Sequence, residues 1–286
     1  MNAIYIKFPE GKGKAVTFSY DDGIIQDKRL IELFDKYGLR ATFNLSSKVF
    51  YDRDVLEVTD WWKPMTLEEA RELYKDTPHE IALHAHTHPF PHALHSTDLM
   101  TYDVIKNREI LEREFGGIIT GMAYPQGTYT QDTIDALKAS GVSYCRTVKN
   151  TYGFNYPPEN WLTLHPTCHH NYEKIFELID KFMEIPYGDA ATSGMFYIWG
   201  HSYELDVDNN WDHMEKICEK ISGKDDIWYA TNIEIYNYQK AFEALRISLD
   251  GKVIHNPSAT DVWIRYNYNI FQGKTVKIPA GETVIL

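Results

Sequence analysis

Three cysteines in 286 residues (Cys145, Cys168 and Cys218) are too few and too scattered for a disulfide framework, a zinc ribbon or a redox pair. They read as buried free thiols. No apolar run approaches the length that crosses a bilayer, so no membrane-spanning helix is expected, and no membrane partner is expected either. The first residues, Met-Asn-Ala-Ile-Tyr-Ile-Lys, lack the basic segment, apolar stretch and cleavage site of an export signal. The chain as written therefore reads as cytoplasmic, although a secreted or cell-envelope protein trimmed of its signal looks the same. Positive charge is also scarce. Lys and Arg number 29 against 41 Asp and Glu, a formal net charge of -12, which argues against a nucleic-acid partner and against a strongly anionic polymer. No glycine-rich dinucleotide fingerprint opens the first helix, and this disfavours an open doubly wound sheet.

What the chain has is a β-α rhythm. Short apolar, β-rich runs at 15–20, 41–45, 80–84, 118–123, 143–146, 162–165, 195–199 and 227–230 alternate with helical patterns. The helices are expected at 26–37, 67–74, 98–115, 131–139, 172–184, 210–221 and 233–244. Thr97 offers the third long helix an N-cap, and Gly141 offers the fourth a stop. Seven or eight such units imply an α/β fold: a distorted (β/α)7-8 barrel over residues 1–245. From about 246 to 286 the pattern changes to strands at 247–254, 262–266, 275–278 and 283–286, joined by Asp-Gly, Gln-Gly and Ala-Gly turns. About forty such residues make little core alone, so they are expected as a small β-rich sheet packed on the barrel. Aromatics reach 14%, with 20 Tyr and 7 Trp, and core packing is their default use. Trp61, Trp62 and Trp161 are the candidates for stacking on a ligand ring.

The chemistry concentrates in two stretches. Ser19-Tyr20-Asp21-Asp22-Gly23 ends an alternating strand, which in a β/α barrel places both carboxylates on the rim where active sites sit. The second stretch is His79-Glu80-Ile81-Ala82-Leu83-His84-Ala85-His86-Thr87-His88-Pro89. A divalent ion takes a hard oxygen and two imidazoles with a position left open, and a free carboxylate beside it takes a proton from water. The pair His84 and His88 shares a side if the loop makes a helical turn; pairs involving His86 share one only in extended chain. The residues alone leave that choice open.

Together with Leu39-Arg40-Ala41-Thr42-Phe43-Asn44-Leu45, these stretches resemble the polysaccharide deacetylases of carbohydrate esterase family 4 over roughly residues 10–235. The resemblance implies that Asp21 is the general base, that Asp22, His84 and His88 are metal ligands, and that Zn2+, or else Co2+, Ni2+ or Mn2+, is the ion. It also implies that Tyr124-Pro125-Gln126-Gly127 lines the pocket, with an oxyanion donor near Gln126. Family members often carry an arginine two residues before that Pro, paired with the base; here that position is Ala123. Arg146, at the end of the strand 143–146, is the candidate to reach across the rim in its place. His201, closing Phe196-Tyr197-Ile198-Trp199-Gly200-His201-Ser202, resembles the general acid, with Glu204 or Asp206 as its orienter. His165, His169 and His170 form a further cluster that is not expected to ligate the metal.

The expected activity is metal-dependent hydrolysis of N- or O-acetyl groups on a glycan. Two alternatives stand beside it. One is a metal-containing glycan-binding protein with weak or no catalysis, suggested by Ala123. The other is a two-His-one-carboxylate iron oxygenase, against which the strand-helix alternation speaks.

Overall fold

The computed structural model describes residues 3–51, 59, 61–89, 96–187, 192–267 and 273–286. In chain order the first elements are β1 (Ala3–Lys7), β2 (Lys14–Asp21), α1 (Asp27–Lys36), β3 (Ala41–Leu45), α2 (Leu67–Tyr74), β4 (Glu80–Leu83), α3 (Thr97–Phe115) and β5 (Gly121–Ala123). Then come α4 (Gln131–Ala139), β6 (Tyr144–Arg146), β7 (Asn155–Tyr156), β8 (Cys168–His169), α5 (Ile175–Glu184) and β9 (Ser193–His201). They are followed by α6 (Ser202–Val207), α7 (Trp211–Ile221), β10 (Ile227–Tyr229) and α8 (Asn232–Glu243). The C-terminal strands are β11 (Arg246–Ile247), β12 (Val253–His255), β13 (Val262–Asn267), β14 (Gly273–Ile278) and β15 (Thr283–Ile285).

The central strand is β2, whose eight residues are all buried. Burial on both faces follows from its place in a parallel sheet with helices outside and side chains inside. Strands β6, β5, β4, β3, β2 and β9 follow one another in that order, and all these neighbours are parallel. β10 extends the sheet beside the start of β2. The sheet curls, and the chain between β6 and β9 closes the remaining gap. Thr147 N donates to Leu164 O (2.9 Å), Thr167 N donates to Tyr197 O (2.8 Å), and β8 lies parallel to β9. The result is a distorted parallel-rich half-barrel of the expected class.

Helix starts are chemically specified. Thr66 with Glu69, Thr130 with Thr133 and Thr231 with Glu234 form reciprocal capping pairs ahead of α2, α4 and α8. On α1, Leu30, Ile31 and Phe34 recur with helical spacing and are buried. Phe34 meets Phe18 of β2 at 4.8 Å between ring centroids. The three cysteines are buried and free, as expected. Among the described residues, no helix is long and apolar enough to cross a membrane.

Several expectations are corrected. The strand expected at 162–165 is instead a 3-10 turn, Trp161–Thr163, with Leu164 alone bridging to Arg146. The Asn160 side chain accepts from Leu162 N (2.9 Å) and holds the turn, and Pro166 has no N–H to give a ladder. The N-cap of α3 is Ser96, not Thr97. The C-terminal strands form two three-stranded sheets rather than one, β1-β13-β14 and β11-β12-β15. The recruited strand β1 pairs antiparallel with β13, Ala3 opposite Asn267 and Lys7 opposite Trp263. Val262, Ile264 and Tyr266 of β13 alternate inward, sharing a core with Ala241 of α8. Of the three turns read from the sequence, the Gln-Gly one involves Gln272, which lies outside the described residues.

Candidate active site

The parallel register carries the site residues to one rim. Asp21 ends β2 opposite Asn44 of β3 on one side and His201 of β9 on the other. Asp21 Oδ1 accepts from Asn44 Nδ2 (2.9 Å), and Asp21 Oδ2 accepts from Arg146 Nη2. Arg146 is fully buried at the end of β6, its guanidinium also 4.8 Å from the Trp199 ring centroid. Burial alone raises the Asp21 carboxyl, but Arg146, then His84 and His201, outweigh it and hold it below the ordinary carboxylate value. Asp21 is therefore an ionised, hydrogen-bonded carboxylate at neutral pH.

Asp22 and Gly23 follow at φ +85° and +67°. This left-handed pair bends the chain so that consecutive carboxylates open onto one cleft, where a strand would send them to opposite faces. A Cβ at Gly23 would sit 2.8 Å from Leu45 Cδ2, which adds a steric reason for glycine.

His84 follows β4 with its ring buried. Its Nδ1 lies 2.9 Å from the Ala123 carbonyl, which only accepts, so the proton sits on Nδ1 and the Nε2 lone pair faces the cleft. Burial is the main reason its pKa falls to about 4, so the ring is neutral. Nε2 of His84 is 3.8 Å from Asp22 Oδ1, and Nε2 of His88 is 3.7 Å from the same oxygen. The three ligand-competent atoms all lie within 4.8 Å of one another. Two imidazoles, one with a preset tautomer, and one carboxylate fit a divalent transition ion. The loop achieves this without a helical turn, through Ala85 at φ +60° and His88 at φ +51°. One turn apart on α3, Asn107 accepts from His84 N (3.1 Å) and Asp103 accepts from His86 N (2.8 Å), anchoring the loop. The His86 ring pairs with Ser47 Oγ (2.9 Å).

His201 Nε2 lies 3.8 Å from Asp21 Oδ2, with Nδ1 3.3 Å from Glu204 Oε1. His201 is the N-cap of α6, and Glu204, three residues on, accepts from its backbone N–H (2.9 Å). Burial pulls the His201 pKa down, yet Glu204, then Asp21 and Asp22, outweigh it and raise the ring to about 9. Of the two candidate orienters, Glu204 is in place; Asp206 instead accepts from Trp211 Nε1 (2.7 Å). His169 Nε2 reaches the other Glu204 oxygen at 3.0 Å. His165 pairs with Thr147 Oγ1 (2.6 Å) in a separate depression beside Pro157 and Asn160.

Tyr124 and Gln126 line a cavity of about 310 Å3 with Asp21, Asp22, His84, His88 and His201. The Tyr124 hydroxyl is already committed to Leu162 O (2.9 Å), so its ring forms wall rather than donor. Gln126 turns at φ +56°. A second lobe of about 390 Å3 shares Asp22, His88, Gln126 and Tyr203 with the first and is walled by Trp61 and Trp62. Trp161 packs edge-on against Tyr236 (5.2 Å), both half-buried against a core cluster.

Two contributors were missed from the sequence. Asn44 holds Asp21, and its only signal was a polar residue amid an apolar strand. Ser202 Oγ donates to Asp27 Oδ1 (2.5 Å), tying the start of α6 to α1; nothing local in the sequence announced it.

Residues 9–145 match the family model described as polysaccharide deacetylase. No curated protein gives a significant sequence match. Among solved structures, a protein assigned as a polysaccharide deacetylase from Mycobacterium smegmatis superposes with TM-score 0.59 at 15% identity, covering 84% of this chain and 95% of its own. A family 4 carbohydrate esterase from Streptomyces lividans, solved with acetate, gives TM-score 0.50 at 13% identity, covering 76% and 91%. At such identities these two speak for the fold. The family match thus covers β2 to β6, the part of the chain that carries Asp21, Asp22, His84 and His88, and the two structures extend the likeness in fold beyond it.

Proposed function

We propose that this protein removes N- or O-linked acetyl groups from a carbohydrate by hydrolysis. Asp22, His84 and His88 would hold a divalent ion, with Zn2+ suited to the donor set and Co2+, Ni2+ and Mn2+ as substitutes. Such an ion supplies Lewis acidity, polarising the acetyl carbonyl and lowering the pKa of water. Asp21, kept ionised by Arg146 and oriented by Asn44, takes the proton from the attacking water. The turn at Gln126 offers backbone N–H to the oxyanion, and Tyr124 walls the pocket. His201, held protonated by the neighbouring Glu204 and Asp21 carboxylates, delivers its proton from Nε2 to the departing nitrogen or oxygen.

One observation carries this reading. One oxygen of the buried Asp21 carboxylate meets the Arg146 guanidinium and the rings of His84 and His201, and His84 also belongs to the adjoining N,N,O set with Asp22 and His88. Base and acid with pKa values pushed apart are what hydrolysis by water needs. The argument for a catalytically silent glycan binder rested on Ala123, and Arg146 offers a guanidinium from the adjacent strand. An iron oxygenase has no use for this flanking acid and base.

The test is acetate release from chitin oligomers, peptidoglycan fragments and acetylxylan by protein reconstituted with Zn2+. Release from one of these, abolished by chelation, supports the reading. Glycan binding with the ion in place and no acetate released would overturn it.

A further inference from the structure

Beyond His201, on the side away from Asp21, lies a second group of metal-competent side chains. Ligand atoms of His169, His201 and Glu204 lie within 4.8 Å of one another. They come from the end of β8, the end of β9 and the first turn of α6. Two buried imidazole nitrogens here have no hydrogen-bond partner among the described residues, His201 Nδ1 and His170 Nε2. The first is 3.3 Å from Glu204 Oε1 but out of line with it; the second is 3.5 Å from Glu204 Oε2. His170 is fully buried, and its Nδ1 is already engaged by the Tyr20 hydroxyl at 3.2 Å. Orphaned nitrogens converging on one carboxylate mark a place where a ligand is missing. The site is reachable, since the side chains of His169, His201 and Glu204 keep 20%, 22% and 23% exposure.

We propose that His169, Glu204 and His201 form a second divalent-cation site, of the two-imidazole, one-carboxylate kind that takes Zn2+, and that filling it silences the protein. Binding is independent of the assigned activity; the silencing rests on the deacetylase reading. An ion bonded to His201 Nδ1, the nitrogen facing Glu204, replaces the proton there. The ring then keeps one proton, on Nε2, and releasing it would leave an imidazolate. No imidazolium remains to protonate the leaving group.

This site is weaker than the first. Glu204 already accepts from His201 N (2.9 Å), and His169 Nδ1 accepts from Asn171 N (3.2 Å), a bond an ion on Nε2 must break by moving the ring proton. His84, by contrast, has its tautomer preset by Ala123.

The experiment is equilibrium dialysis of the full chain against graded Zn2+ with elemental analysis, run beside turnover. The wild type should take a tight and then a weak equivalent, with turnover falling by roughly 10²-fold as the weak one fills, the share a general acid supplies. His169→Ala and His169→Gln should each keep the tight equivalent and lose the weak one. Asp22→Ala should keep the weak one only. Circular dichroism verifies that each variant is folded. If the wild type saturates at one equivalent in millimolar Zn2+, or both His169 variants retain two, the site does not exist. A weak equivalent that binds without lowering turnover overturns the silencing. Failure of the deacetylase reading shows separately, as no acetate at one equivalent.

Discussion

Ala123 and Arg146 are register partners on the adjacent strands β5 and β6, and it is Arg146 whose guanidinium meets the Asp21 carboxylate. The cation that the resemblance led one to expect at position 123 is thus replaced by one delivered from the next strand. The pair is buried, so removing the cation strands a charge: Arg146→Met is expected to cost about 3 kcal/mol of stability. It should also move the acidic limb of the kcat/KM profile upward, because Asp21 then binds a proton more readily. Denaturant unfolding and a pH-rate series check both, and Arg146→Lys should recover part of each. Unchanged turnover would detach Arg146 from the chemistry.

Asp21→Asn separates base from ligand. Metal stoichiometry should stay at wild-type level while turnover drops by roughly 10²- to 10⁴-fold, the range that general-base catalysis supplies. A fully active variant removes Asp21 from that role.

Dialysis against a chelator should abolish acetate release, and Zn2+ should restore it. His84→Ala should bind the ion far more weakly than wild type. His86→Ala should not, because that ring is paired with Ser47. Equal loss in both would mean the ligand set is misassigned.

As the proposed acid, His201 would have to be protonated to act, so its pKa, raised to about 9, is expected to set the alkaline limb of activity. Glu204 is the first of the neighbours that hold it there against burial. In Glu204→Gln the limb should shift to lower pH, toward the ordinary imidazole value of about 6.5. A profile that does not move would show that Glu204 only caps α6.

Asp27 offers a test of stability rather than catalysis. It is buried at the start of α1, and burial, relieved in part by Ser202 and Tyr74, raises its pKa to about 7. The unfolded carboxyl titrates near 3.9, so between about pH 4 and 7 the native state holds a proton that the unfolded state has released. This group's contribution is therefore full below pH 4, declines as pH rises to 7 and is level above. Asp27→Asn should flatten that decline in unfolding free energies measured at pH 5 and pH 8.

The Asp21-Asp22-Gly23 turn and the histidine loop were legible because each packs its chemistry into a few consecutive residues at a strand end. The β-α rhythm was legible because buried parallel strands and amphipathic helices leave distinct periods. What stayed hidden depends on distant partners. A strand as short as β1 has no meaning without β13, and α6 is six residues whose cap is the proposed acid itself. The 162–165 run had a strand's composition, yet Asn160 and Pro166 decided otherwise. Spacing alone did not choose between His86 and His88, because the loop obtains its geometry from left-handed residues and from Asp103 and Asn107.

Ala3 faces Asn267 and Lys7 faces Trp263, so during synthesis β1 waits for a partner made much later. Until β13 emerges, β1 is an unpaired edge available to any passing chain. Closing so long a loop is slow, and the half-barrel has every chance to assemble beforehand. The β1–β13 join is then a late latch, and truncation before β13 should leave β1 an open edge through which the assembled half-barrel aggregates.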